Sequence, residues 1–291
     1  MIKKILLLAV FMAGFITHAS AQEQIIFPDT LAGWQLSWDA GLNGSQAAFS
    51  NWSGGGVDNL SYTGSSRFQA KYGQGRFNYG FSLSTRYGRS YIQGDSNRKT
   101  DDRLSVRNRF LYDLGEENSD FAIFGNIDLL TQFDQGFDFA AGPDDEDVLI
   151  SGFFAPAYIS ENAGLAYSPG EHFVFEAGLG LRQTIVRDRS LSTLYGLDEG
   201  ETFRNEGGLT LAAAYEQTIA TNLRFSLSAE SFTNLSESLK STDVNVSSQF
   251  TGAINSLLNA SLRVDLRYDD DFSNEIQLMQ VLSVGISFSL L

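Results

Sequence analysis

Strict alternation of apolar and polar residues, repeated segment after segment, is the feature that most restricts what this chain can fold into. Over 76–88 the apolar set is Phe77, Tyr79, Phe81, Leu83 and Tyr87, with Arg76, Asn78, Gly80, Ser82, Ser84 and Arg86 between. Over 258–268 it is Leu258, Ala260, Leu262, Val264, Leu266 and Tyr268, against Asn259, Ser261, Arg263, Asp265 and Arg267. The chain closes on Leu282, Val284, Ile286, Phe288 and Leu290, separated by Ser283, Gly285, Ser287 and Ser289. A β-strand sends successive side chains to opposite faces, so each segment has one apolar and one polar face.

Twelve such segments are legible, at 34–43, 59–72, 76–88, 102–114, 120–133, 152–167, 173–183, 204–215, 223–231, 244–254, 258–268 and 279–290. Most exceed the roughly 5–6 residues usual in soluble sheets and match the roughly 9–11 that cross a bilayer at a tilt. The pattern predicts an all-β fold: a transmembrane antiparallel up-and-down β-barrel of about 12 strands. Closure follows from hydrogen bonding. In hydrocarbon an unpaired backbone group costs several kcal/mol, and an open sheet carries a row of them on each edge.

The connections alternate in length. Long ones lie near 44–58, 89–101, 134–151, 184–203, 232–243 and 269–278, and short ones near 73–75, 115–119, 168–172, 216–222 and 255–257. Short periplasmic turns and longer extracellular loops are the outer-membrane pattern, which places both termini in the periplasm and requires an even strand number. Tyr72, Phe77, Tyr112, Phe121, Tyr167, Phe173 and Tyr215 sit beside the short turns on the apolar phase, as a headgroup-level aromatic girdle requires. Pro156 falls inside one segment; it has no N–H for the ladder, so a bulge or break is expected there.

The first residues read as an address. Lys3 and Lys4 precede an apolar run from Ile5 to Ile16 and then Ala19-Ser20-Ala21, the layout of a secretory signal peptide cut after Ala21. Residues 22–291 then form a single barrel domain. Removing Lys3 and Lys4 leaves 18 basic against 35 acidic residues, a net charge of −17. That charge argues against nucleic acid. The absence of Cys excludes disulfides, thiolate metal sites and thiol nucleophiles. The partners implied are outer-membrane lipid and lipopolysaccharide, the outer-membrane insertion machinery and small hydrophilic solutes.

Asn51-Trp52-Ser53-Gly54-Gly55-Gly56, Arg98-Lys99-Thr100-Asp101-Asp102, Phe154-Ala155-Pro156-Ala157-Tyr158, Arg204-Asn205-Glu206-Gly207-Gly208 and Tyr268-Asp269-Asp270-Asp271 occur in this order. As an ordered set they resemble the DUF3078 family, exported proteins of Bacteroidetes and relatives, from about Trp34 to the C-terminus. The family has no assigned activity, so the resemblance transfers no catalytic or binding residue.

If the apolar phase faces lipid, the polar phase faces the lumen. That phase carries Arg67, Arg86, Arg103, Arg107, Arg109, Asp128, Glu176, Arg182, Glu206, Arg224, Glu230, Arg263, Asp265 and Arg267. Two uses compete: a wet passage tuned by these charges, or a closed network of ion pairs. Eight strands are just filled by side chains and sixteen leave a channel, so twelve decides neither. Arg is in slight excess, which favours anions. Catalysis is not expected: after the leader the one histidine is His172, in a short turn, and the usual base and nucleophile pairs are missing. No cofactor is implied.

A surface-binding role is the alternative. The long connections hold Asp134, Asp138, Asp144, Asp145, Glu146 and Asp147, then Asp198, Glu199 and Glu201, then Asp269, Asp270 and Asp271. Carboxylates bind hard cations, but no spacing here matches an EF-hand-type loop, and hydrated acidic loops need no ligand. Gly54-Gly55-Gly56 lacks the Lys-Ser/Thr of a phosphate cradle.

Overall fold

The alternation resolves into a single ring of hydrogen-bonded strands. A computed structural model describes residues 24–48, 57–95, 97–117, 119–236, 242–269 and 273–291. The segment expected as a leader, Gly54-Gly55-Gly56 and Asp270-Asp271 lie outside the described residues. The barrel strands are β1 (Gly33–Ala47), β2 (Asn59–Gln74), β3 (Phe77–Ile92), β4 (Arg98–Asp113) and β5 (Phe121–Thr131). They continue as β8 (Ala157–Tyr167), β9 (Phe173–Ile185), β10 (Phe203–Ala220), β11 (Leu223–Asn234), β12 (Thr242–Ala253), β13 (Leu258–Asp269) and β14 (Ser273–Ser289). These twelve strands close antiparallel on one another, while β6 (Gly136–Asp138) and β7 (Val148–Ser151) make a separate hairpin in the β5–β8 loop.

The seam is the shortest ladder of the barrel. β1 meets β14 from Asp39↔Ser289 to Asn43↔Gly285, and the Leu290 N–H donates to the Trp38 carbonyl at 2.7 Å. A Cβ on Gly285 would lie 2.6 Å from the Leu42 carbonyl oxygen, so glycine lets the two backbones close there.

Side chains sort by parity as the hydrocarbon environment demands. Leu36, Leu42, Ile123, Leu165, Leu179, Leu211, Leu278 and Leu282 stand exposed on the outside, Leu179 at 62%. Most inward positions are polar and buried, such as Arg107 at 4% and Asp128 at 2%. Aromatic rings join across strands at the short-turn end. Trp34 meets Tyr72 at 5.0 Å, Tyr79 meets Phe110 at 5.1 Å, Phe121 meets Tyr167 at 4.9 Å and Phe225 meets Phe250 at 4.7 Å. One outward polar side chain, Asn108, is satisfied by the Tyr79 hydroxyl at 2.9 Å, which spares it an unmet hydrogen bond in hydrocarbon.

Several boundaries differ from the sequence reading. The expected long connections 89–101, 232–243 and 269–278 contract to 93–97, 235–241 and 270–272, and the short 216–222 contracts to 221–222. Ladder bonds continue past the lipid band, where side-chain alternation is no longer enforced. The segment expected at 152–167 starts only at Ala157. Gly152 and Ala155 pair backbone to backbone at 2.8 and 3.0 Å, and Pro156 follows with no donor to give.

The opposite end carries the larger loops. Ala155, Val186, Leu191, Tyr195 and Leu197 pack into a small core joining the 132–156 and 186–202 connections, and the Tyr195 hydroxyl donates to the Ile150 carbonyl at 2.6 Å. Asp102 anchors the first of these loops by accepting from the Phe133 and Asp134 N–H groups, each at 2.8 Å, and from Lys99 Nζ at 2.9 Å. The Tyr87 hydroxyl donates to Asp134 at 2.7 Å and holds its carboxyl below the usual range, aided by the Gln135 N–H and Lys99. A depressed carboxyl contributes stability above its unfolded value and loses it as pH falls through the folded one. Acidification below about pH 4 is therefore expected to loosen the 132–156 loop. Limited proteolysis across a pH series reads this directly; Asp134→Asn should remove the acid step, and an unchanged step would refute the assignment.

Candidate functional site

The lumen gathers the chain's charged residues into two unlike halves. Along β4, β5, β8, β9 and β10 it is largely filled, leaving a void of only about 80 Å³ among the charged side chains. Arg107 grips Asp128 through Nε–Oδ1 at 2.7 Å and Nη2–Oδ2 at 3.0 Å, and reaches Glu230 at 3.2 Å. Arg109, 1% exposed, meets Glu176 Oε1 at 2.8 Å, and Asn126 donates to the other Glu176 oxygen at 3.1 Å. Arg182 pairs with Asp243, two strands beyond its sheet neighbour. Arg204 and the Asn234 amide converge on Glu206 at 3.1 and 3.0 Å. Bidentate and multiply hydrogen-bonded geometry is what offsets the desolvation cost of buried charges.

A strap of chain completes this half. Residues 24–32 precede β1 and run inside the barrel at the short-turn end, with Ile25 only 1% exposed. Arg109 Nη1 donates to Gln24 Oε1 at 3.2 Å and to the Ile25 carbonyl at 2.9 Å, and Lys71 Nζ donates to the Ile26 carbonyl at 2.8 Å. Phe27 packs against inward Leu111, Ala122, Phe124 and Ala166. Gly80 makes the approach possible: a Cβ there would come within 2.8 Å of Ile25 Cγ2.

The other half is open. Between the strap and the wall formed by β1–β4 and β10–β14 lies a cavity of about 400 Å³. Its wall is largely hydroxyl-bearing, with Thr63, Ser65, Ser82, Ser84 and Ser226 among Arg67, Arg86, Arg103 and Arg263, and the carboxylates of Asp39, Asp101 and Glu216 also reach it. Small hydroxyl residues keep this side hollow where long ion-paired side chains fill the other.

Each residue read from the sequence has a definite place. Arg107, Arg109, Asp128, Glu176, Arg182, Glu206 and Glu230 join the filled network. Arg67, Arg86, Arg103 and Arg263 line the cavity, with Arg86 3.1 Å from Asp101 and Arg263 2.8 Å from Asp265. Arg224 lies at the short-turn rim, 64% exposed and 3.4 Å from Glu216. Arg267 follows Asp265 by two residues on the same phase of β13. Sequence reasoning missed Asp101, Asn126, Asn234 and Asp243, which share the inward parity; Asn126 was legible by it, whereas Asp101, Asn234 and Asp243 fall in stretches expected as the long connections 89–101 and 232–243 and lie on strands that run further than expected. The strap was missed as well; its one signal is the apolar run Ile25-Ile26-Phe27 outside any alternating segment.

His172 is exposed in its turn and its Nδ1 lies 3.0 Å from the Glu216 carbonyl oxygen. Among the described residues no three carboxylate or imidazole groups gather as a metal site.

The family model described as a protein of unknown function (DUF3078) matches residues 45–137. That stretch holds the first two of the five motifs, so the match is shorter than the resemblance read from the sequence. No curated protein matches the chain. Among solved structures it is similar to the translocator domain of autotransporter NalP from Neisseria meningitidis, at 13% identity and TM-score 0.37 over 88% of each chain. It is also similar to an outer membrane channel from Pseudomonas putida F1, at 10% identity and TM-score 0.41 over 94% of this chain and 99% of that one. A third is the NanC porin, at 10% identity and TM-score 0.39 over 87% of this chain and 100% of that one.

Proposed function

We propose that the chain is an outer-membrane protein, exported through the leader 1–21, whose lumen is a narrow porin-like passage for small hydrophilic solutes. The observation that carries this reading is the hydroxyl-lined cavity of about 400 Å³ beside the strap. On β2 it is bordered from Thr63 to Gln69, seven residues or about 20 Å of strand, which at a tilt of about 45° covers roughly half of the hydrocarbon core. A barrel serving only as a structural element has no need to keep one wall hollow.

In this reading both termini lie in the periplasm, and the 132–156 and 186–202 loops face lipopolysaccharide. Assembly uses the outer-membrane insertion machinery. The role is permeation, not catalysis. Purified protein in a planar bilayer should give small, steady conductance steps, below those of wide porins because the strap occupies part of the bore. Complete electrical silence would reduce the barrel to a filled envelope component.

A further inference from the structure

The inward faces of β2, β3 and β4 carry an arrangement that a plain polar wall does not need. Arg86 stands directly opposite Arg103 across the β3–β4 ladder, and Arg67 lies one strand away, diagonal to Arg86. Directly opposed side chains have Cβ atoms only about 4.5–5.5 Å apart, and like charges there repel. Serines fill the alternate positions: Ser84 is opposite both Arg67 and Ser105, and Ser65 is opposite Arg86. All three arginines border the same cavity. Asp101 contacts Arg86 Nε at 3.1 Å, yet the buried Nη2 of Arg86 meets no acceptor among the described residues. A buried guanidinium donor without an acceptor carries a desolvation penalty that a ligand can relieve.

We propose that Arg67, Arg86 and Arg103, with the serines between them, form a binding station for a small oxyanion of the sulfate or phosphate type. Planar guanidinium forks match oxyanion geometry and serine hydroxyls supply the remaining donors. A multiply charged oxyanion adds counter-charge where the three cations crowd together, and the small serines leave it room. The proposal rests on the passage reading, because the station lines that same cavity; it names the solute class the passage selects.

Sulfate titrated calorimetrically into the folded full-length barrel in detergent should bind and be displaced by inorganic phosphate but not by equimolar chloride. Arg86→Gln or Arg103→Gln should each weaken binding about tenfold, the loss of one charge-assisted contact. Arg76→Gln, at the outer rim of a short turn, should leave affinity unchanged. If either glutamine variant does not fold, Arg103→Lys keeps the charge and removes the fork, and should still weaken sulfate. Absence of sulfate binding to the wild type, or equal binding by folded Arg103→Gln or Arg103→Lys, overturns the station. Bilayer recording separates the two claims. Conductance without any sulfate effect leaves the passage and removes the station; sulfate binding with this arginine dependence in a silent barrel leaves the station and removes the passage.

Discussion

Replacing Arg109 by Ala is expected to destabilise the folded barrel by about 3–5 kcal/mol, the usual effect of removing one partner from a buried ion pair. The Arg109 and Glu176 side chains are only 2% and 3% exposed and meet at 2.8 Å. Without the guanidinium, the Glu176 carboxylate keeps one amide donor, Asn126, and loses its counter-charge. The same change cuts the strap's two hydrogen bonds at Gln24 and Ile25 and the Arg109 guanidinium's place over the Phe27 ring, 5.6 Å from its centroid. Two readouts should therefore move together: the urea midpoint in detergent falls, and residues 24–32 become protease-sensitive while bilayer conductance rises. Adding Glu176→Gln to Arg109→Ala should recover part of the stability, because the orphaned charge goes, but should leave the strap loose. If the single variant unfolds at the wild-type urea concentration, the lumen does not hold this pair as described.

Val264→Arg is the second large effect. Val264 lies mid-strand on β13, in phase with the exposed Leu258 and Leu266 and out of phase with buried Asp265. An arginine on the lipid face near the midplane costs roughly 2–4 kcal/mol. Asp265→Asn, one residue on, faces the opposite way and meets Arg263 at 2.8 Å; it should perturb lumen pairing while leaving insertion nearly intact. Folding yield into lipid vesicles, read as protease-protected barrel, tests the pair. Wild-type insertion of Val264→Arg would mean that the two faces have been assigned the wrong way round.

The outer half of this protein was legible because hydrocarbon imposes one rule on every strand. A lipid-facing position must be apolar and its neighbour need not be, so period two survives in 76–88 and 258–268 without any knowledge of partners. Twelve strands and a girdle at the short turns follow from local pattern alone. The strand ends did not, because above the headgroups the ladder continues through residues such as Arg89 and Ser90 without any demand on their side chains.

The lumen obeyed a different logic. Parity alone placed Arg107 and Asp128 on one face, since both sit on the polar phase of their strands. Parity could not say that Arg107 also reaches Glu230, because that contact crosses the bore between strands 123 residues apart in sequence. Nor could it foresee that Ile25-Ile26-Phe27 would turn inward and set Phe27 onto Leu111 and Phe124, inward apolar residues that break the pattern they belong to. Whether the interior is filled or open was undecidable from strand number.

The sequence by itself determined the all-β class, the twelve-strand count and the identity of the two faces, because the lipid solvent acts on each residue separately. Only the tertiary structure decided that one half of the bore is packed with ion pairs and a strap while the other stays hollow. Those arrangements depend on which side chains meet across a closed ring, and closure sets that distance without leaving a mark in any one strand.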